Sequence, residues 1–178
     1  LIIVNVDFYK NLHLRLLGAH QIVNASTAIG IIEILEEVGF SISDKAIFKG
    51  MKNVFWPGRF EILKAKGRTI IFDGAHNVAS VNAFVKTIKD VFPYRKINFI
   101  LGLSKDKDKA GICQSINKIA HQIIATKARH PRASDFSEED LKKYFPKKIC
   151  YIVSDVKKAF EKILKETNKK EVLAITGS

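Results

Sequence analysis

The sequence predicts an α/β fold built around a doubly wound, mostly parallel sheet. From about residue 60 onward, short apolar runs typical of buried strands alternate with longer segments that repeat at helical spacing. The run Ile97–Leu103 is almost wholly apolar, which is typical of a strand covered on both faces. Hydrophobic residues make up 47% of the 178 residues, so the chain can bury a core of the size that this fold needs.

The first segment is predicted to form a hairpin and then a helix. Residues 1–17 alternate apolar and polar side chains, and the polar pair Lys10-Asn11 is predicted to supply the turn. The apolar positions of the hairpin are Ile2, Val4, Val6, Phe8, Leu12, Leu14 and Leu16. Residues 20–38 are predicted to form a helix that Gly39 ends. Its apolar face comprises Ile22, Ala25, Ile29, Ile32 and Leu35.

A short second helix and a break complete this segment. Ser43 or Asp44 is suited to cap the helix, because a short polar side chain can accept the first free backbone N–H groups. The sequence Trp56-Pro57-Gly58 interrupts any regular element. We therefore predict two domains, 1–55 and 56–178.

The second domain is predicted to open on a hairpin around Lys66-Gly67 and to continue as strand–helix repeats. The predicted strands are 60–64, 68–72, 97–103, 122–126, 149–153 and 172–176, and the predicted helices are 77–91, 107–120, 138–145 and 155–166. Ser137 and Asp140 are spaced as a capping box. Because ligands of such sheets bind at the carboxyl ends of the strands, the polar residues that follow strands are the candidate site residues.

The net charge of +12 allows two interpretations, an anionic partner or a lysine-rich solvated surface. The lysines are scattered along the sequence, whereas nucleic-acid interfaces usually cluster Arg and aromatic residues, so we expect no nucleic acid as a partner. No apolar run is long enough to span a membrane. Cys113 and Cys150 lack the spacing of a zinc site and are expected to be reduced thiols of a cytoplasmic protein.

Asp73 and His76 flank a Gly-Ala turn that leads from a predicted strand into a helix. A carboxylate at this position can accept hydrogen bonds from ribose hydroxyls, and a histidine can stack on a ligand or bind it through a ring nitrogen. The competing interpretation is that Asp73 and Asn77 only cap the helix. The residues alone favour neither interpretation.

Arg59 and Asn24 also have a functional and a structural interpretation. Arg59, beside the domain break, can bind phosphate in a bidentate manner, or it can pair with Glu61 at the surface. Asn24, next to the apolar face of the first long helix, can recognise an adenine edge, or it can make a local bond within the helix.

Two basic loops follow the next strands. In the run Lys105-Asp106-Lys107-Asp108, Asp106 is suited to cap a helix, and Lys105 is a candidate ligand contact. Arg129 and Arg132, on either side of Pro131, can bind a substrate carboxylate or form a solvated basic loop. The sequence contains no phosphate loop, dinucleotide fingerprint, nucleophile elbow or His-Glu-x-x-His motif.

Taken together, these motifs resemble the folylpolyglutamate synthase family, whose members are often also dihydrofolate synthases, within the Mur ligase superfamily. The ordered match runs through Leu16-Leu17-Gly18-Ala19-His20-Gln21, Asn24-Ala25, Trp56-Pro57-Gly58-Arg59-Phe60-Glu61, Asp73-Gly74-Ala75-His76-Asn77, Gly102 with Lys105-Asp106-Lys107-Asp108, Pro131-Arg132-Ala133 and Thr176-Gly177-Ser178. The Lys-Asp-Lys-Asp and Pro-Arg-Ala elements favour the folate branch over the cell-wall branch.

The resemblance implies the end of a central ATPase domain followed by a carboxyl-terminal ligase domain. It implies that Asn24, Arg59 and Asp73 contact ATP, that His76 is catalytic, and that Arg132 and Lys105 bind substrate. The implied cofactors are ATP and Mg²⁺, with the metal ligands and the phosphate loop in an amino-terminal part that this chain lacks. The implied partners are folate or dihydropteroate and L-glutamate, and the full-length enzyme is expected to be a monomer.

The implied reaction is carboxylate activation, in which ATP converts the terminal carboxylate of a folate to an acyl phosphate that the amine of glutamate attacks. The chain departs from the family pattern at Val78, where the family usually has Pro, and it stops at Ser178. The change at Val78 is expected to cost no function, because Pro at the first helical turn is replaceable. The end at Ser178 and the missing amino-terminal part lead us to expect a fragment that is inactive alone. The alternatives are a Mur-type ligase of cell-wall synthesis and a non-catalytic module that binds nucleotide or nucleic acid.

Overall fold

A computed structural model of the chain describes residues 1–6 and 9–177, which divide into two units, Leu1–Arg59 and Phe60–Ser178. The division falls after Arg59, a few residues beyond the predicted domain boundary. In the first unit, strands β1 (Ile2–Val6) and β2 (Tyr9–Leu14) pair antiparallel, and helices α1 (His20–Glu37) and α2 (Asp44–Asn53) follow. The core of this unit contains Val4, Val6, Leu12, Ile29 and Ile47.

The predicted turn at Lys10-Asn11 is wrong, because both residues lie in β2. The register shifts between Val4 and Val6, and Asn11 adopts the left-handed conformation at φ 57°. Its backbone N–H donates to Oδ1 of Asn5 at 2.8 Å. Asn11 therefore marks a bulge within the hairpin. Phe8, which we assigned to the hairpin, lies outside the described residues.

The predicted end of α1 at Gly39 and the predicted cap at the start of α2 are confirmed. At Gly39, with φ 98°, the N–H of Phe40 donates to the Leu35 carbonyl and the N–H of Gly39 to the Glu36 carbonyl. These bonds form a Schellman motif, which satisfies the last carbonyls of α1. The hydroxyl of Ser43 accepts the N–H of Ala46 at the start of α2.

The second unit contains the remaining elements in alternating order. They are β3 (Glu61–Ala65), β4 (Arg68–Asp73), α3 (Val78–Val91), β5 (Ile97–Gly102), α4 (Lys109–Asn117), β6 (Ala120–Ala125), α5 (Glu138–Tyr144), β7 (Ile149–Ile152), α6 (Val156–Glu166) and β8 (Val172–Gly177). Within residues 60–177, six strands form one sheet in the order β3-β4-β8-β5-β6-β7. All of the pairings are parallel except the β3–β4 hairpin.

The strand order explains which helix covers which face. The connections through α3, α4 and α5 all advance toward β7, whereas α6 returns the chain to the centre of the sheet. Because such crossovers are right-handed, α6 must lie on the opposite face from the other three helices. Ala159 and Ile163 of α6 pack with Ile70, Ile100 and Leu173 of the sheet. The predicted doubly wound α/β fold is confirmed.

Candidate functional site

The carboxyl ends of the central strands lie side by side at one edge of the sheet. In the ladder, Asp73 at the end of β4 is paired with Thr176 of β8, and Gly102 at the end of β5 is paired with Gly177. Parallel strands end at the same edge, so the loops that follow β4 and β5 start from adjacent positions. This edge is the one at which ligands bind in sheets of this type.

The Asp73 carboxylate organises the first loop, residues 73–77, through both of its oxygens. Oδ1 accepts the backbone N–H of Ala75, and Oδ2 accepts the backbone N–H of Phe60, both at 2.8 Å. A carboxylate that accepts backbone N–H groups forms charge-assisted bonds, which are stronger than bonds between neutral groups. Asp73 therefore connects its own loop to the residue that follows Arg59.

Phe60 occupies an unusual backbone position for a bulky residue, with φ 46°. Its ring is 4% exposed and packs edge-on against Phe84 of α3, with ring centroids 5.7 Å apart. Burial of the ring and the bond to Asp73 together hold this conformation. The backbone of Phe60, at which the second unit begins, is thus fixed.

The half-buried imidazole of His76 is oriented by its own loop. Nδ1 lies 2.8 Å from the carbonyl oxygen of Gly74, and because a carbonyl only accepts, Nδ1 is the nitrogen that donates in this contact. Asn77 caps α3 by accepting the N–H of Ser80 at 2.8 Å within a capping box. Asn77 therefore caps the helix, whereas Asp73 bonds to the backbone of its own loop and of Phe60.

A second pair of loops brings Lys105 and Arg132 together. The N–H of Lys105 donates to the carbonyl of Arg132 at 2.8 Å, and the N–H of Ser134 donates to the carbonyl of Leu103 at 2.7 Å. Between these bonds, Ser104 and Ala133 form an isolated antiparallel bridge. Both cationic residues are exposed. The backbones of two basic residues, from loops that are distant in sequence, are thus hydrogen-bonded to each other at the carboxyl edge of the sheet.

The predicted cap at Asp106 is wrong, because Asp108 caps α4 by accepting the N–H of Gly111 at 2.9 Å. Asp106 instead pairs with Lys107 at 2.8 Å, and this hydrogen bond is the largest cause that lowers the pKa of Asp106 below its usual value. A Cβ at Gly111 would lie 2.5 Å from Oδ2 of Asp108. The close cap therefore requires glycine at that position.

Arg129, the other candidate for a substrate carboxylate, is paired with Asp155 at 3.0 Å. Asp155 also caps α6 by accepting the N–H of Lys158 at 3.0 Å. The Lys158 N–H first, and then the Arg129 guanidinium, hold the pKa of the Asp155 carboxyl below its usual value. Arg132 rather than Arg129 therefore lies with Lys105.

Asn24 and Arg59 belong to the first unit. The side chain of Asn24 is exposed on α1, and its Nδ2 donates to Oε1 of Gln21 at 2.9 Å. Arg59 is also exposed, and its backbone N–H donates to the Trp56 carbonyl at 3.3 Å. Asn24 thus makes the local bond within its helix that we considered as the structural interpretation.

The hydroxyl of Thr176 donates to the carbonyl of Ala75 at 3.0 Å, a contact that the sequence does not predict. The motif Thr176-Gly177 at the end of a strand was the available signal, but the partner is 101 residues away in sequence. Across residues 1–6 and 9–177, no group of three His, Cys, Asp or Glu side chains could hold a metal ion. In the same residues, no helix is long and apolar enough to cross a membrane.

Comparison with known proteins identifies relatives of this chain. Residues 58–178 match the family model described as Mur ligase, glutamate ligase domain. Dihydrofolate synthase/folylpolyglutamate synthase of Buchnera aphidicola (subspecies Acyrthosiphon pisum) is 31% identical over 172 residues, which are 96% of this chain and 41% of that protein. The Bacillus subtilis protein of the same name is 32% identical over 127 residues, which are 71% of this chain and 29% of that protein.

Mycobacterium tuberculosis folylpolyglutamate synthase, in crystal structures complexed with ADP and AMPPCP, is similar in fold, with a TM-score of 0.84 at 25% identity. The similarity covers 96% of this chain and 40% of that one, so this chain spans less than half the length of each of these three relatives. The family model covers the sheet, the loop 73–77 and the two loops that carry Lys105 and Arg132. The chain therefore belongs to the Mur ligase family, and residues 58–178 are its glutamate ligase domain.

Proposed function

We propose that this chain is the carboxyl-terminal part of an ATP-dependent ligase that adds glutamate to folate, and to dihydropteroate where the enzyme is bifunctional. The observation that carries the proposal is that two loop sets lie at the same edge of the sheet. The first set is the loop 73–77, and the second is the two loops that carry Lys105 and Arg132. One set presents a carboxylate and an imidazole, and the other presents a lysine and an arginine. This combination suits a reaction that uses both a nucleotide and an anionic amino acid. The nucleotide must be positioned, and the carboxylate of the amino acid can be bound by a cationic side chain.

In this proposal, the loop 73–77 serves the nucleotide. Asp73 is proposed to accept ribose hydroxyls in addition to its backbone hydrogen bonds, and His76 presents its imidazole just before α3. Arg59 and Asn24, which belong to the first unit, are proposed as further ATP contacts. The bonds from Asp73 to the Phe60 and Ala75 N–H groups support this role, because they fix the loop before any ligand arrives. The named complexes of the mycobacterial relative with ADP and AMPPCP also support it.

Lys105 and Arg132 serve the incoming glutamate. Both side chains are exposed cations held side by side through their backbones, so they suit the recognition of a carboxylate. Arg132 can bind a carboxylate through two parallel hydrogen bonds, whereas Lys105 acts as a point charge. Together they would orient the glutamate amine toward the activated carboxylate of the folate.

Magnesium, when bound, would neutralise charge on the transferred phosphoryl group. On the family resemblance, we propose that its protein ligands lie in an amino-terminal part of the enzyme. The residues of this chain that fit the reaction are therefore nucleotide and glutamate contacts.

The first unit is proposed to be the end of a central ATPase domain. Helix α1 buries Ile29 but exposes the apolar side chains Val23, Ile31 and Ile34, as expected for a helix with a further apolar neighbour. A cytoplasmic, monomeric enzyme is proposed as well. The free thiols of Cys113 and Cys150 support a reducing compartment.

The test is ADP release by the protein as its gene encodes it, with ATP, Mg²⁺ and one acceptor at a time. We expect ADP release only when L-glutamate and either dihydropteroate or a reduced folate are both present, and we expect none from residues 1–178 alone. Release that requires a cell-wall precursor instead would establish the Mur-type alternative. Glutamate addition by residues 1–178 alone would contradict the assignment of the phosphate site to another part.

A further inference from the structure

The central strand β8 ends in two residues that contact both halves of the candidate site. Thr176 is paired with Asp73 of β4 on one side and with Leu101 of β5 on the other. Its hydroxyl donates to the Ala75 carbonyl at 3.0 Å, in the middle of the loop 73–77. Gly177 lies directly against the backbone of Gly102, where the second loop begins.

The bond from Thr176 satisfies a carbonyl that the sheet cannot satisfy. Ala75 is 2% exposed and lies beyond the end of β4, so its carbonyl oxygen is buried outside the strand ladder. A buried carbonyl without a donor is costly, and the loop would move to avoid that state. The N–H of the same residue donates to Asp73, so both polar groups of Ala75 are bound.

We propose that Thr176 is a positioning residue for the nucleotide loop. Its hydroxyl holds the Ala75 carbonyl and thereby sets the positions from which Asp73 and His76 present their side chains. This inference rests on the proposed nucleotide role of the loop. The hydroxyl acts through the loop, so its loss should weaken the use of ATP while leaving the use of glutamate unchanged.

The variant Thr176→Val removes the donor and keeps the shape of the side chain, whereas Thr176→Ser keeps the donor. Thr87→Val is a matched control, because Thr87 is 2% exposed and its hydroxyl also donates to a backbone carbonyl, that of Ala83 at 2.8 Å. Thr87 lies in the body of α3, away from the loop. Both valine variants therefore lose one buried hydroxyl, but only one of them loses the contact to Ala75.

All variants are made in the protein as its gene encodes it. The first readout is hydrogen exchange of the backbone amides of residues 74–77, which reports on the loop independently of any activity. We expect Thr176→Val to speed this exchange by about tenfold, the change that loss of one hydrogen bond permits, and Thr176→Ser and Thr87→Val to leave it unchanged. If the valine variant is not recovered folded, Thr176→Ala removes the same donor and carries the same expectation.

The second readout is steady-state kinetics. We expect Thr176→Val to raise the KM for ATP by about tenfold with the KM for glutamate unchanged, and Thr176→Ser to restore the wild-type value. Unchanged exchange and an unchanged KM for ATP in Thr176→Val, or equal effects in Thr87→Val, would overturn the inference. If the wild type adds no glutamate, the proposed function is overturned. Hydrogen exchange of residues 74–77 would still show whether Thr176 holds the loop in position.

Discussion

Because β8 approaches β5 closely at Gly177, adding a single methyl group there should lower the free energy of unfolding strongly. Gly177 has φ 122°, and a Cβ built on its backbone would lie 1.7 Å from the carbonyl oxygen of Gly102 and 2.8 Å from its carbonyl carbon. The obstructing atoms are backbone atoms of a paired, buried strand, so no side chain can rotate away. The substitution Gly177→Ala must therefore separate the ends of β5 and β8.

Two unfavourable contributions to the free energy of folding add at this position. A non-glycine residue in a left-handed conformation costs about 1–2 kcal/mol, and forcing extra atoms into a packed interior costs about 1–3 kcal/mol more. A loss of about 3 kcal/mol should lower the Tm of a protein of this length by about 6–12 °C. We expect this loss in thermal unfolding followed by circular dichroism.

Gly67→Ala separates the two costs. Gly67 also has a positive φ, 75°, but its added Cβ would meet only the flexible end of the Lys169 side chain, at 3.3 Å. We expect Gly67→Ala to lower the free energy of unfolding by about 1 kcal/mol, the conformational cost alone. If Gly177→Ala unfolds within about 2 °C of Gly67→Ala, the close approach of the two strands is refuted.

Three further predictions concern caps and titratable groups. Ser137→Ala removes the capping box of α5 and should lower the free energy of unfolding by about 1 kcal/mol in urea titrations. The pKa of Asp155 is lower in the folded protein than in the unfolded chain, so the ionised Asp155 side chain stabilises the fold. This stabilisation is complete above the unfolded pKa of about 3.9, and it is lost as the pH falls through the lowered pKa of the folded state. Asp155→Asn, which can still cap α6, should therefore flatten the loss of stability below about pH 4, and an unchanged acid profile would contradict this. Burial raises the pKa of the Cys113 thiol to about 12, so a thiol reagent at pH 8 should label Cys113 only on unfolding, and rapid labelling of the native protein would contradict its burial.

The fold could be predicted from the sequence because its signals are local. Apolar runs mark the buried strands, and the capping box at Ser137 and the turn at Lys66-Gly67 depend on residues a few positions apart. Both turn residues have positive φ, as a tight hairpin requires. Local chemistry and the global fold agree at each of these positions, so each prediction holds.

One error falls where two residues offer the same chemistry. Asp106 and Asp108 are equally good caps by type, and the choice is made by Gly111, whose missing side chain lets Asp108 approach. The helix predicted over 107–120 is α4, Lys109–Asn117, because β6 already begins at Ala120 in register with Ile97. The sheet register overrides the helical pattern at that end.

The site could be predicted only in part. The residues of the Asp-Gly-Ala-His-Asn motif mark a strand end, which places Asp73 and His76 in one loop. The bonds that hold this loop, from Asp73 to Phe60 and from Thr176 to Ala75, join residues 13 and 101 positions apart. Only the folded sheet brings these partners together. The bridge that joins the loops of Lys105 and Arg132 has the same origin.

The nucleotide is proposed to use one loop set and glutamate the other, and the Michaelis constants of two variants test this separation most directly. In the protein as its gene encodes it, we expect His76→Ala to raise the KM for ATP and Arg132→Ala to raise the KM for glutamate, each by about tenfold or more with the other constant unchanged. If Arg132→Ala leaves the KM for glutamate at its wild-type value, or if both variants change the two constants equally, the assignment of one loop set to each substrate is contradicted.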